Sequence, residues 1–231
     1  MTVISYAKPP SLRLREDTGW ATAAATTSSI PYSVKLINQS ASNWNFFLYQ
    51  QVPNEQSANT FSLVWFCSPF IMVPGAYLTF QWTTDHNFVW AVTETIVPGG
   101  TFSAGESISA DPQSANTTTF STAPGPNLST AVAGSPQGSL VINDAATVPN
   151  NTFSVGIGMG EVGTIVAAAG PNLLHTFNPD TTYWIAAGTN VRVGTILDIA
   201  TVSPNLQVIF PVNVYDVTCV LGANNQWTQN P

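Results

Sequence analysis

Charged side chains are scarce in this chain of 231 residues. Lys and Arg number five and Asp and Glu number twelve, so charged residues make up 7% of the sequence, against about a quarter in an ordinary soluble domain. The surface must therefore consist mainly of uncharged polar residues, which provide little charge repulsion between copies. The formal net charge is −7. No nucleic-acid partner is expected, because phosphate binding needs grouped Lys and Arg.

Histidine is also rare. Only His86 and His175 are available as near-neutral acid or base groups or as nitrogen ligands, so catalytic triads and His-based zinc sites are not expected. The acidic residues are scattered singly, and no spacing selects a pair of carboxylates for acid and base catalysis. The sequence therefore predicts a protein that is not an enzyme, with no catalytic residue, no cofactor and no metal.

The two cysteines, Cys67 and Cys219, are isolated from each other in strand-like contexts. Buried free thiols are the favoured interpretation, because Cys is among the most buried residue types. A disulfide between them is the alternative, and only their separation in space decides between the two.

Long apolar runs are missing. The longest apolar interval, around residues 62–73, is interrupted by Ser68 and Pro69, and a membrane span needs roughly 18 apolar residues. The N-terminus has no charged start followed by an apolar run, so a secretory signal is not predicted. We expect no membrane span, and a protein that is cytoplasmic or exported without a recognisable signal peptide.

Short alternating segments rich in aromatic and β-branched residues make up most of the chain from Tyr32 onward. Turn residues bound them, and no segment has a sustained helical period. In residues 77–83, for example, Leu78, Phe80 and Trp82 share one face of an extended chain. The predicted strands lie at residues 34–38, 44–50, 62–67, 77–83, 88–97, 138–143, 152–158, 163–168, 173–177, 182–187, 190–198, 206–210 and 213–221.

These strands predict an all-β fold, an antiparallel β-sandwich with an N-terminal arm. We expect two packed sheets in a single β-sandwich domain over residues 32–231, with the arm over residues 1–31. Residues 101–138 are rich in Ser, Thr, Ala, Pro and Gly and predict a long excursion with short strands at most.

The arm contains a short alternating segment, Ser-Leu-Arg-Leu-Arg. Leu12 and Leu14 lie on one face of it, and Arg13 and Arg15 lie on the other, which is the period of a strand. Such a strand can add to the edge of an adjacent copy. The sequence therefore predicts a structural or self-associating protein that forms a homo-oligomer or filament.

The glycine cluster from Val155 to Gly163 superficially resembles a nucleotide-binding loop. A dinucleotide fingerprint needs a helix that opens from the loop within a βαβ unit, whereas residues 163–168 have the pattern of a strand. The cluster therefore predicts a glycine-rich hairpin or a surface that another backbone approaches closely.

Aromatic side chains between residues 82 and 90 are the remaining candidates for a binding site. Trp82, Asp85, His86 and Trp90 combine stacking surfaces with hydrogen-bonding groups, which is typical of a glycan-binding site. Glycan binding is therefore the alternative function. Against it, aromatic residues on alternating strands usually form the core of a sandwich, and Asp85-His86 fits a hairpin turn between two strands.

Five segments of the chain point to a known family. They are Leu63-Val-Trp-Phe, Phe80-Gln-Trp-Thr-Thr-Asp-His-Asn-Phe-Val-Trp, Val97-Pro-Gly, Ser154-Val-Gly-Ile-Gly-Met and Tyr183-Trp-Ile. They resemble the RhiA-type rhizosphere-expressed bacterial proteins, over roughly residues 32–220. The resemblance implies a soluble, abundant, non-secreted protein made during association with a host or surface, and it implies no catalytic or metal residues. The arm and residues 101–138 lie outside it.

Overall fold

The computed structural model describes residues 31–51, 60–179 and 182–230. Within these ranges the chain forms strands and no helix, so the all-β prediction is confirmed. The described residues therefore contain no helix that could span a membrane. The strands are β1 (Tyr32–Asn38), β2 (Asn45–Gln51), β3 (Thr60–Ser62), β4 (Val64–Cys67), β5 (Tyr77–Trp82), β6 (His86–Val92), β7 (Glu106–Ser109), β8 (Thr117–Ser121), β9 (Asn127–Leu128), β10 (Leu140–Asp144), β11 (Phe153–Met159), β12 (Val162–Ala168), β13 (Leu174–Phe177), β14 (Thr182–Gly188), β15 (Asn205–Val208), β16 (Asp216–Leu221) and β17 (Trp227–Asn230).

The strands form four sheets. The first has the order β17-β16-β1-β5, the second β15-β14-β2-β4, the third β3-β12-β11-β6-β7 and the fourth β13-β10-β8-β9. Neighbouring strands are antiparallel except for the pairs β1–β16 and β8–β10, which are parallel. Parallel neighbours need a long crossover connection, and β1 and β16 lie at opposite ends of the described chain.

The sheets pack in pairs around two separate cores, where the sequence predicted one pair. The first core lies between the first and second sheets and includes Val34, Leu36, Phe46, Leu48, Trp65, Phe80, Trp82, Ile185, Val217 and Cys219. The second lies between the third and fourth sheets and includes Phe88, Phe120, Leu140, Ile142, Val155, Ile157 and Ile165. We call these the first and second sandwich. The second is built mainly from residues 86–177, inserted between the two parts of the chain that form the first.

Loop residues pack on the faces of the second and third sheets that point away from the two sandwich cores. Phe102 and Ile196 pack on the third sheet, and Leu197 packs on the second. The predicted strand at residues 190–198 is therefore wrong, since this segment is a loop with isolated bridges to the rest of the fold. Gly194 explains the difference, because its φ is +82° and a Cβ there would lie 2.2 Å from the Phe102 carbonyl oxygen.

The interval 101–138 contains more regular structure than the predicted excursion. It contributes β7 to the third sheet and β8 and β9 to the fourth. Thr118 and Phe120 alternate toward the second core, and Phe120 is completely buried. Thr is β-branched and suits a strand, so the Ser- and Thr-rich composition that suggested a loop is compatible with β8.

Residues 83–85 connect the two sandwiches. β5 belongs to the first sheet and β6 to the third, so the predicted hairpin turn at Asp85-His86 is wrong, and His86 begins β6. Both flanking segments were correctly predicted as strands, but alternation does not reveal that their partners lie in different sheets.

The glycine cluster forms the β11–β12 hairpin, as predicted. Gly160 and Glu161 make its two-residue loop with φ values of +61° and +71°, the positive values that a type I′ turn requires. The hairpin tip also joins the sandwiches. Met159 inserts into the first core, and its carbonyl oxygen accepts a 3.1 Å hydrogen bond from Trp65 Nε1.

Candidate association surface

Edge strands are unusually poor in charge. The four sheets have eight edges, and seven of these strands contain no Lys, Arg, Asp or Glu. The exception is Glu106 on β7, whose carboxylate accepts hydrogen bonds from Trp90 Nε1 at 2.9 Å and from the Leu128 amide at 2.8 Å. Natural sheets usually guard their edges with charge, Pro or bulges. Pro is absent from all eight strands, so seven of the eight described edges lack both charge and Pro.

β5 is the longest of the edge strands, with six residues. One side pairs with β1 from Tyr77 to Trp82, and no described strand pairs with the other. Side chains alternate along it: Tyr77, Thr79 and Gln81 are exposed, whereas Phe80 and Trp82 are buried. The outer side of β5 therefore offers backbone donors and acceptors to an additional strand.

The two sides of the first sandwich differ. On the β17–β15 side, polar contacts join the two sheets. The Ile209 amide donates to Gln229 Oε1 at 2.9 Å, and Trp227 Nε1 donates to the Pro204 carbonyl at 3.3 Å. On the β5–β4 side, the Phe66 and Phe80 rings meet with centroids 5.3 Å apart. Phe66 is only partly buried, so this side is apolar and incompletely covered.

Exposed apolar residues occur in the connection between β4 and β5. Residues 68–76 lead from β4 to β5, and within them Phe70 is 47%, Ile71 58% and Val73 50% exposed. We call β5, together with Phe66 and these three residues, the open side of the first sandwich. An unpaired, uncharged strand beside apolar surface is the arrangement that strand addition requires.

The residues predicted for a glycan site are not brought together. Trp82 lies in the first core, with its ring 5.5 Å from that of Trp65, and its buried Nε1 has no hydrogen-bond partner among the described residues. Trp90 packs against the second core, 5.5 Å from the Phe120 ring. Asp85 and His86 lie where the chain passes from one sandwich to the other. The four residues form no common cleft, because the chain changes sandwich between the two tryptophans.

The arm residues Leu12, Arg13, Leu14 and Arg15 lie outside the described residues, so their role stays a prediction. The described chain starts at Pro31 and enters β1 at once. Tyr32 pairs with Trp82, which places the start of β1 beside the end of β5.

Both cysteines are free thiols, so the alternative of a disulfide is not realised. Burial raises the pKa of the Cys67 thiol to about 11, and the Cys67 thiol donates to the Val191 carbonyl at 3.2 Å. Burial raises the pKa of the Cys219 thiol to about 12. The thiolate is the reactive form of cysteine, so neither group is suited to nucleophilic chemistry at neutral pH.

His175 is a hydrogen-bonded strand residue, as predicted. Its Nε2 lies 2.9 Å from Asp144 Oδ2, which also accepts a 2.9 Å hydrogen bond from the Gly170 amide. Sequence reasoning missed Asp144 as the partner. The signal is the acid at the end of the apolar run Leu140–Asp144, which places a carboxylate at the rim of a buried strand. No group of three or more potential metal ligands occurs within residues 31–51, 60–179 and 182–230.

A depression of about 520 Å³ lies at the end of the first sandwich away from Tyr32. Cys67, Ile71 and Arg192 are among its lining residues. The high pKa of the thiol and the lack of any lining carboxylate or histidine leave no acid and base pair there.

Comparisons with known proteins give one consistent result. The family model RhiA matches residues 29–230. Protein RhiA of Rhizobium leguminosarum bv. viciae is 49% identical over 209 residues, which make up 90% of each chain. No solved structure matches the chain significantly. The match runs through residues 101–138, which the resemblance of separate segments had left out, and most of the arm precedes it.

Proposed function

The chain belongs to the RhiA family, whose name states no catalytic activity, and we propose that it is a non-catalytic structural protein that associates with copies of itself. The observation that carries the proposal is β5, a six-residue edge strand with no charged side chain and no partner on its outer side among the described strands. Such an edge is a template for pairing with another chain.

The chemistry of the described residues supports a role other than catalysis. His175 is engaged by the buried Asp144, the Glu106 carboxylate is engaged by Trp90 and Leu128, and the pKa of both thiols is raised by burial. A nucleophile with an oriented base does not occur among these groups. These side chains serve structural contacts.

The sparse charge favours association in a second way. Only Lys35 and Arg192 are cationic in the described ranges, and the acids there are mostly single and separated along the chain. Repulsion between approaching copies is therefore weak, and repeated main-chain hydrogen bonds, each with a net value of about 0.5–1.5 kcal/mol, can hold the copies together. We propose further that the protein is abundant and is made during host or surface association. In this proposal it is either cytoplasmic or exported without a recognisable signal peptide.

Particle size tests the proposal. We expect dynamic light scattering and negative-stain microscopy of the full chain to show particles larger than one copy of 24.5 kDa, growing with protein concentration. Particles of monomer size at every concentration would contradict it.

Glycan binding remains the second candidate, at a different place from Trp82 and Trp90. Tyr32 contacts Phe210 and Tyr215, with ring centroids at 4.9 Å and 5.4 Å, and all three rings are partly exposed. Exposed aromatic rings can stack on sugars. A glycan array with the wild-type chain and with Phe210→Ala separates the functions, since the structural role predicts no glycan signal from either protein.

A further inference from the structure

We infer that residues Ser11 to Arg15 of a second copy add to β5 as a fifth strand of the first sheet, with Leu12 and Leu14 over the open side of the first sandwich. The inference rests on the proposed self-association and names its interface. The occupant is the arm, because thirty residues precede Pro31 and they contain a strand-period segment of matching length.

The two faces of β5 suit the two faces of the arm segment. On β5, Tyr77, Thr79 and Gln81 face outward, and Leu78 and Phe80 face the first core. A strand paired with β5 repeats this alternation, because side chains point to opposite faces with a period of two. Its Leu side chains then lie on the core side, and its Arg side chains lie on the solvent side.

The core side has a place for the two leucines. Phe66 and Leu78 are both partly exposed, although they pack against the first core. Phe70 and Ile71, in the connection from β4 to β5, have roughly half of their surface exposed. Leu side chains on an added strand cover this surface and remove it from water, which is the main driving force of association.

Charge favours the Trp82 end of β5 for the arginines. In the first sheet, Gln81 pairs with Ser33, and Ser33 pairs with Asp216 and donates a hydrogen bond to its carboxylate. Asp85 follows β5 at the same end and is exposed. Lys35 lies toward the other end, with its Nζ 4.7 Å from the centre of the Tyr77 ring. The exposed Asp85 therefore favours an arginine opposite Gln81, at the end of β5 away from the Lys35–Tyr77 contact.

The arm is long enough to reach a neighbour. Residues 16–30 can extend about 50 Å at roughly 3.3 Å per residue, whereas six-residue β5 spans about 20 Å. An arm that leaves one copy and fills the edge of the next makes a head-to-tail contact, and such contacts form a ring or an open filament.

Disulfide cross-linking between copies tests this pairing directly. Full chains carrying Arg13→Cys, and tagged full chains carrying Gln81→Cys, are mixed and oxidised. We expect a covalent dimer that contains one chain of each kind. The matched control replaces Gln81→Cys by Gln113→Cys, an exposed position between β7 and β8, and should give no such dimer. The native thiols are protonated at neutral pH and should contribute little.

Charge substitutions at Gln81 provide a second, independent test. Gln81→Lys should weaken assembly by up to about fivefold, which corresponds to the roughly 1 kcal/mol that a like-charge cross-strand pair costs. Gln81→Glu has the same backbone and the opposite sign, so assembly should be retained or strengthened. Thermal melting of both variants checks that the fold is intact.

The outcomes separate the two proposals. If oligomers form but no disulfide forms between the Arg13→Cys and Gln81→Cys chains, the inference is overturned and the self-association proposal remains. A Gln81→Cys chain that links to itself, with assembly lost in both charge variants, shows that β5 pairs with another β5 and also overturns it. A chain that is monomeric under all conditions overturns both proposals.

Discussion

At the scale of single residues, buried polar groups are used for structure. Asp144 is 4% exposed, and its Oδ2 joins the Gly170 amide to His175. Asn116, also buried, donates to the Pro136 and Ser139 carbonyls and accepts from the Gly134 amide. Each of these side chains ties a loop to a strand of the fourth sheet, which explains why the second sandwich tolerates long connections.

Removal of the Asp144 carboxylate should destabilise the second sandwich. Asp144→Ala leaves the Gly170 amide and the His175 ring without their acceptor, at roughly 1–3 kcal/mol for each buried donor left unpaired. Asp144→Asn keeps one carbonyl oxygen and should lose less. Urea denaturation followed by tryptophan fluorescence measures both, and equal stability of the Ala variant and the wild type would refute the structural role.

Alkaline pH should destabilise the protein through groups buried in their neutral form. Burial raises the pKa of Tyr49 from 10.0 to about 12. Because the folded-state value is the higher one, the contribution is fully present below pH 10 and is lost as pH rises toward 12, at about 1.4 kcal/mol per pKa unit. Tyr49→Phe should show a shallower loss of stability between pH 10 and pH 12 in urea titrations. An unchanged slope would contradict the assignment.

At the scale of elements, the β11–β12 hairpin couples the two sandwiches. It belongs to the third sheet, yet Met159 at its tip lies in the first core and receives the Trp65 indole hydrogen bond. The glycines of this hairpin are needed for close approach. A Cβ on Gly158 would lie 1.9 Å from the Val162 carbonyl oxygen, which no side chain tolerates without a backbone shift.

Gly158→Ala should therefore be strongly destabilising. Overpacking of this kind typically costs about 1–3 kcal/mol, and backbone clashes cost more. Gly125→Ala is the matched control, because a Cβ there meets nothing within 4 Å, and it should change stability by less than about 0.5 kcal/mol. Thermal melting of the two variants decides the question, and similar melting temperatures would count against the need for close approach at Gly158.

Individual strands could largely be predicted from the sequence, because each side chain's face is set locally. In β16, Val217, Cys219 and Leu221 face the core as their alternation predicts. β17 was missed because Trp227–Asn230 is polar after its first residue and pairs with β16 as an edge.

At the scale of the whole molecule, the insertion of one sandwich within the other could not be predicted. It depends on distant pairings such as that of Ser33 with Asp216, which lie 183 residues apart, and alternation carries no information about partners. The same limit applies to the association surface. The sequence predicts β5 as a strand, but its position at an edge follows only from the order of the first sheet.

Sedimentation velocity of the full chain beside a chain lacking residues 1–30 is the most direct test of self-association through the arm. The full chain should sediment as oligomers whose size increases with concentration, and the shortened chain should sediment mainly as a monomer with an unchanged melting temperature, since residues 31–230 hold both cores. Identical profiles for the two chains, with both monomeric throughout, would contradict the proposed function and its interface together.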